Sequence, residues 1–372
     1  MMANSAFGKS KPNRKHFTFL SLLFALSLLL LLGACTSIPV KEFGGYRDAV
    51  TKARTAAENI LTDYAAALAQ KQALDKKQNQ QPVEPSRPAM FDPSTTDGTS
   101  AVDQIAVRFQ AWEVIGKYND ALTNLAEGKS AEQVGAAVDG LVHSLSQSPL
   151  TELSAISSQI TPFLGPLKTL LAEADQEALR ERYFEALKAG LPLIKDDFIG
   201  LLKKDTKIMF EVRYGLNNLE YQGIVDKVSD AKRRFDKLSS QYVLSDNIRK
   251  MREQITNALA KLPKGNNGQP AVNPPSNTTG TTALTPASES QMETLKEDVV
   301  NQVDLALQKN KELFAYRDTL TAYVNLLNQM ANSIQTLQVA AETGNAPSLP
   351  SDDVLKAVID LRRTYLTYRE SK

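Results

Sequence analysis

Apolar residues recur at steps of three and four along most of this chain, the spacing that places side chains on one face of an α-helix. The most regular stretch lies after residue 310, where two sets of apolar residues each repeat every seven positions. Such a repeat predicts a long helix packed along its length on another helix, most simply one predicted over 196–262. The two sets are Leu313, Leu320, Leu327, Ile334 and Ala341, and Tyr316, Tyr323, Met330 and Leu337.

The 196–262 segment carries a shorter seven-residue repeat of its own, and it should be interrupted once. Ser245-Asp246 is typical of a helix N-cap, which predicts a break or kink at that point. The repeat consists of Val228, Phe235 and Tyr242, with Ile224, Ala231 and Leu238 beside them.

An earlier helix is predicted over 46–75, where apolar and alanine residues alternate at steps of three and four. A seam so rich in alanine is weak alone. The helix should therefore act either as a stalk or as an element docked on the main body.

Further helices are predicted over 101–125, 131–146, 149–172 and 175–189, and a last one begins at the Ser351-Asp352-Asp353 cap. A turn should fall at Gly128 to Ser130. No stretch shows the alternation of a β-strand over more than a few residues. The expected fold is therefore all-α: an elongated helical bundle with long, coiled-coil-like helices.

Two stretches interrupt the helical pattern and are predicted to be disordered linkers. Residues 76–100 and 263–290 together contain nine of the seventeen prolines, among Gly, Asn, Gln, Ser and Thr. Segments of this composition bury too little apolar surface to offset their chain entropy. They delimit a helical bundle domain over 101–262 and a C-terminal pair of helices over 291–372 that should pack on it.

The first residues have the order of a secretory signal. Four basic and no acidic side chains precede residue 17, and an apolar run follows over 17–32. That run is slightly longer than a usual signal core and slightly shorter than the roughly 20 residues that span a bilayer. Length alone therefore leaves open an uncleaved membrane anchor, and the next residues decide between the two.

Leu32-Gly33-Ala34-Cys35 resembles the lipobox of bacterial lipoproteins, and Cys35 is the only cysteine in the chain. The resemblance covers the first 35 residues. It implies that 1–34 are a signal peptide, that a peptidase cuts between Ala34 and Cys35, and that acyl chains on Cys35 hold the protein to a membrane. Since Thr36 stands where the inner-membrane retention signal would have aspartate, the resemblance also implies transfer to the outer membrane if the host is Gram-negative. The sequence does not show the envelope type of the host or which face of the membrane carries the protein. The mature chain would begin with a lipidated N-terminus and stalk helix, 35–75.

Charge gives no sign of a nucleic-acid partner. The whole chain carries 43 basic and 42 acidic residues, and removal of 1–34 takes away four basic ones, which leaves 39 against 42. A mature charge near −3 does not favour nucleic acid. The lone cysteine, used for the lipid, also allows no disulfide within the mature chain.

No catalytic, cofactor or metal site is predicted. His143 is the only histidine beyond the signal, too few for the usual zinc sites and little for a Ser-His-Asp triad. Gly128-Lys129-Ser130 resembles the end of a P-loop but lacks the earlier glycine and the preceding strand. Adjacent acids such as Asp196-Asp197 point in different directions on a helix. We therefore expect no enzyme and no small-molecule substrate.

One segment is unusually poor in charge: residues 131–172 contain four charged side chains, where the average of 23% would supply about ten. A helical hairpin of this kind is expected to lie inside the bundle, and insertion into a bilayer is the alternative.

Two functions follow from these sequence features. The favoured one is a lipid-tethered, non-catalytic scaffold or adaptor that binds an envelope protein along helix faces such as that of Leu320 and Leu327, as a monomer or an oligomer. The other is a membrane-active protein that inserts this hairpin.

Overall fold

The computed structural model describes residues 40–79, 101–146, 185, 187–263, 272–275, 280–343 and 351–372. Its helices contain most of these residues and no strand is found among them, which confirms the predicted all-α fold. In chain order the helices are α1 (Val40–Asn79), α2 (Ala101–Ala126), α3 (Ala131–Ser146), α4 (Ile199–Ser239), α5 (Asp246–Leu259), α6 (Pro286–Thr343) and α7 (Ser351–Ser371). A π-helical turn, Leu193–Phe198, leads directly into α4.

The larger of two apolar cores, here called the main core, lies between α1, α2, α3, α7 and one half each of α4 and α6. Helix α1 docks in this core, so the second of the two arrangements considered for it is the one observed. Its seam residues are buried: Val50, Ala53, Ala57, Ile60, Tyr64 and Ala67. Alanines on this seam let neighbouring helices approach closely, and aromatic side chains such as Trp112 fill the remaining space.

Helices α4 and α6 form the longest pair in the structure. They run antiparallel, because Lys195 lies near Gln335 whereas Asn217, further along α4, lies near Lys309, earlier on α6. The prediction that the heptad helix packs on the 196–262 segment is confirmed. Of its two apolar sets, Tyr316, Tyr323, Met330 and Leu337 are all buried.

The other halves of α4 and α6 leave the main core and combine with α5 into a second, distal core. Val228 and Phe235 of α4, Ile255 of α5, and Met292 and Val299 of α6 are each almost fully buried there. The predicted boundaries at residues 262 and 291 place α4 and α6 in different parts of the fold. Because both helices contribute to both cores, the two cores do not coincide with those parts. We call α5 with the adjoining halves of α4 and α6 the distal unit.

The chain breaks between α4 and α5 close to the predicted point. Ser245 is the N-cap of α5, and its hydroxyl accepts a hydrogen bond from the Ile248 amide at 3.2 Å. The turn at Gly128 is also confirmed, with a φ of 66° that suits glycine. The helices predicted over 149–172 and, for the most part, over 175–189 lie outside the described residues.

The predicted 263–290 linker differs from the structure in its last part. Residues 286–290 are the first turn of α6, and just before them Gly280 and Thr282 pair through backbone hydrogen bonds with the chain at Tyr242 and Val243. Thr285 caps α6, because its hydroxyl and that of Ser288 hydrogen-bond reciprocally with the backbone. A pair of capping residues on either side of Pro286 signals the start of a helix. The linker prediction rests on proline content, which does not detect such a cap. The other predicted linker, 76–100, lies mostly outside the described residues, although α1 extends to Asn79.

Gly280 is required where these two backbone segments meet. A Cβ at this position would lie 2.3 Å from the carbonyl of Gln241, and backbone atoms cannot move aside as a flexible side chain can. We therefore expect Gly280→Ala to lower the free energy of unfolding by about 1–3 kcal/mol, as overpacking does elsewhere. The measurement is urea denaturation followed by circular dichroism.

Gly223→Ala provides the control, because Gly223 lies exposed on α4 and a Cβ there would meet nothing within 4 Å. This change should be neutral or stabilise by up to about 1 kcal/mol, since alanine is the better helix former. Equal effects of the two substitutions would contradict the close approach at Gly280.

Candidate functional site

The predicted lipidation and cleavage residues, Cys35 and Ala34, lie outside the described residues. The structure does show where the chain emerges after them. Tyr46, in the second turn of α1, donates a hydrogen bond to the Met330 carbonyl at 3.4 Å, and Gly45 lies against Ser351, the first residue of α7. A tether on Cys35 would therefore hold the molecule at the end of the main core that lies furthest from the distal unit. We call this end the base.

The side chains considered for chemistry do not converge. His143 is exposed on α3, Asp196 and Asp197 lie at the start of the long α4 segment, and Lys129 is in an exposed turn beside Glu127. Among the described residues no group of three His, Cys, Asp or Glu side chains has the spacing of a metal site.

Charged side chains that the sequence did not single out are buried instead in the main core. Arg108 of α2 and Asp205 of α4 form an ion pair with 0% and 2% of their side chains exposed. Burial raises the pKa of Asp205 above its usual range, and the guanidinium of Arg108 opposes that rise. Beside them the indole of Trp112 donates a hydrogen bond to the Tyr323 hydroxyl at 3.2 Å.

A second buried pair joins α4 to α6 at the junction of the two cores. Arg213 is paired with Glu312, and Lys309 contacts both Glu312 and Glu220 at 3.0 Å. The amide of Asn217 donates a hydrogen bond to the Lys309 carbonyl at 2.7 Å. These contacts fix the register of the two longest helices, because a slip of one helical turn would leave buried charges without partners.

The sequence did carry a signal for these pairs. Arg108 occupies the step between Ile105 and Trp112 on the apolar face of α2, where the helical period calls for an apolar residue. Asp205 likewise stands between Leu202 and Met209 on α4. A charge within an apolar stripe predicts a buried partner, but the sequence does not say which opposite charge is that partner.

Two of the surface grooves between the described helices offer space for a ligand. One, of about 450 Å³, lies between the end of α1, α4 and α6 and is lined mainly by apolar atoms of Leu74, Leu219 and Ile224. The other, of about 470 Å³, lies between α2 and α3 and includes Lys117 and Asp120. Both are open to solvent. The first also includes Glu220, Lys227 and Lys309, and the second Asn124, Lys129 and Gln133.

Large apolar side chains are exposed at the end of the distal unit and on α7. Val243 and Leu244, 52% and 47% exposed, protrude from the α4–α5 connection at the far end of the distal unit. Ile359 and Leu366 protrude from the outer face of α7. Leu320 and Leu327, by contrast, are buried within the chain's own main core, so they are not available to a partner.

Part of the charge-poor segment is described, as helix α3. Its apolar residues Val134, Val138 and Leu141 are buried, and α3 packs on α2. Residues 147–172 lie outside the described residues. In the part of the chain that is described, no helix has an apolar stretch long enough to cross a membrane.

Comparisons with protein-family models, with curated proteins and with solved structures find no match to this chain. Its function must therefore be argued from the arrangement of its own residues.

The buried Arg108–Asp205 pair gives a direct test of what holds the main core. Arg108→Met should lower the free energy of unfolding by about 3–5 kcal/mol, because it leaves Asp205 buried without its counter-charge. The double variant Arg108→Met/Asp205→Leu should recover most of that loss. Chemical denaturation of both variants provides the measurement.

Arg363→Met is the matched control, because Arg363 pairs with Asp360 at 3.0 Å on the exposed surface of α7. Its effect should stay below about 1 kcal/mol, as for exposed pairs in general. A loss in Arg108→Met no larger than in this control would contradict the structural role of the buried pair.

Proposed function

We propose that this protein is a lipid-tethered, non-catalytic helical adaptor of the bacterial cell envelope, held at the outer membrane by acyl chains on Cys35. The observation that carries the proposal is the separation of its two ends along one continuous helix. Helix α6 has 58 residues and takes part in both cores. Tethered at the base, the protein carries its distal unit well away from the point of attachment.

The length of that separation follows from the helix geometry. Met330 marks the level at which Tyr46 of α1 contacts α6, and Met292 lies thirty-eight residues earlier, in the distal core. At 1.5 Å per residue the two levels are about 57 Å apart. The dense packing of α4 on α6 keeps this distance constant, because a bend would break the buried contacts between them.

The use of the charged residues supports an adaptor rather than an enzyme. The most deeply buried charges are consumed in pairs between helices, at Arg108–Asp205 and Arg213–Glu312. A catalytic acid or base must instead reach a substrate in a cleft. Burial in these pairs serves helix register, which a long adaptor needs.

The tip of the distal unit is the proposed place of contact with a partner protein. Val243 and Leu244 are exposed there on a connection held by backbone pairing with residues 280–282. Exposed aliphatic side chains on an ordered loop lose little entropy on binding, because the loop is already fixed. The partner surface would bury these two side chains.

The tether is tested by changing Cys35. Cys35→Ser should abolish incorporation of a labelled fatty acid and move the protein from the membrane fraction to the soluble fraction, because no thiol remains to be acylated. Ser37→Ala is the control and should stay labelled and membrane-bound. Retention of residues 1–34 on a protein without acyl groups would contradict the proposal.

The partner contact is tested at the tip. A photo-crosslinking residue in place of Leu244 should capture one defined envelope protein in intact cells, and Val243→Ser should weaken that capture without loss of stability. The same crosslinker at Asn257, exposed on the outer side of α5, is the control. Equal products from both sites, or none from Leu244, would contradict a partner site at the tip.

A further inference from the structure

The outer face of α7 combines protruding apolar and basic side chains. Ile359 and Leu366, 65% and 59% exposed, have the largest exposed fractions of the large apolar side chains in the described chain. They are seven residues apart, so they share one face of the helix and lie about 10 Å from each other along its axis. Four exposed basic side chains lie around them. We define the α7 outer face as Lys356, Ile359, Arg362, Arg363, Leu366 and Arg369.

The order of residues on this face fits the boundary of an anionic bilayer. Arg362 and Arg363 lie between the two apolar side chains, and Arg363 also pairs with Asp360 at 3.0 Å at the edge of the face. Two further acidic residues, Asp352 and Glu370, stand at the ends of the face. Aliphatic side chains can enter the level of the lipid headgroups while long guanidinium side chains remain beside the phosphates. Basic side chains are attracted to acidic lipid headgroups, and this attraction falls off within a Debye length of the membrane surface.

The face also lies at the tethered end of the molecule. A Cβ on Gly45 would be 3.5 Å from the Ser351 hydroxyl, and Lys372 forms an ion pair with Asp63 at 2.9 Å. Helices α1 and α7 therefore run parallel from the base, and the α7 outer face begins close to the place where α1 emerges. Only four residues, 36–39, separate Cys35 from Val40, the first residue of α1.

We infer that the α7 outer face rests on the anionic lipid surface that holds the acyl chains of Cys35, so that the body lies along the membrane. This inference rests on the proposed tether. Two aliphatic and four basic side chains would bind a bilayer only weakly in a free protein. A tether makes the same contact intramolecular, with an effective concentration in the mM range, and a weak contact then suffices.

A bilayer is favoured over a partner protein or a second copy of the chain because the tether on Cys35 would keep the bilayer next to the α7 outer face at all times. The consequence is geometric. The distal unit is displaced sideways along the surface, and its tip meets partners that lie at the same membrane.

The experiment uses a fluorescent label on a single introduced thiol, since Cys35 is the only native cysteine and is consumed by acylation. The acylated protein is reconstituted in vesicles of phosphatidylcholine with or without phosphatidylglycerol, with the label at Ile359→Cys or, as a control, at Asn257→Cys. In the vesicles with phosphatidylglycerol, the emission at 359 should shift to the blue and be quenched by spin-labelled lipid. The label at 257 should show neither effect.

Charge is tested by reversal on two surfaces. Arg362→Glu/Arg369→Glu should abolish the shift at 359, and so should high salt, because both remove attraction to the acidic headgroups. Arg233→Glu/Arg234→Glu, on the exposed side of α4, changes the net charge equally and should leave the shift unchanged. Both double variants should remain bound through the acyl chains.

Each other outcome overturns the inference. An unquenched label at 359 in acylated protein rejects the membrane contact and leaves the proposed adaptor intact. Equal quenching with and without phosphatidylglycerol rejects the role of charge. A label at 359 already shielded in detergent points to a second copy or another protein on the face. A preparation in which mass spectrometry finds no acyl groups rejects the tether, and with it both proposals.

Discussion

The packing of α4 against α6 is the interaction on which the rest of the structure depends. These two helices are the only elements of the described chain that take part in both cores, so the distal unit has no other support of comparable length. Apolar residues supply most of the contact between them, and Arg213–Glu312 with the Asn217–Lys309 hydrogen bond sets their register. Without that register, the main core and the distal core could not both be formed by the same pair.

Much of this architecture could be predicted from periodicity, because helices packed along their length need apolar residues at helical spacing. The heptads of α6, its pairing with α4 and the N-cap at Ser245 follow from that rule. The prediction for the start of α6 is wrong because it rests on composition, which does not reveal the capping by Thr285 and Ser288. Composition likewise does not predict the burial of Arg108 and Asp205, since charged residues usually lie at the surface, although their place in an apolar stripe indicates the interior.

The surfaces proposed for function could be predicted least. Helical spacing separates Val354 and Leu361, which are buried, from Ile359 and Leu366, which turn outward on the same helix. It does not say what the two outward residues contact. The sequence hypothesis placed a partner along the heptad seam, which the structure shows to be occupied by the chain's own helices. The exposed candidates are the tip at Leu244 and the α7 outer face.

The central claim is that one continuous helix pair keeps the base and the tip far apart. Spin labels at Lys52→Cys, exposed on α1, and Leu244→Cys, at the tip, would measure that separation directly by pulsed electron paramagnetic resonance. At 1.5 Å per helical residue the account predicts a single narrow distribution near about 60 Å. A broad distribution, or one centred below about 40 Å, would show that the distal unit folds back on the main core and would contradict the account.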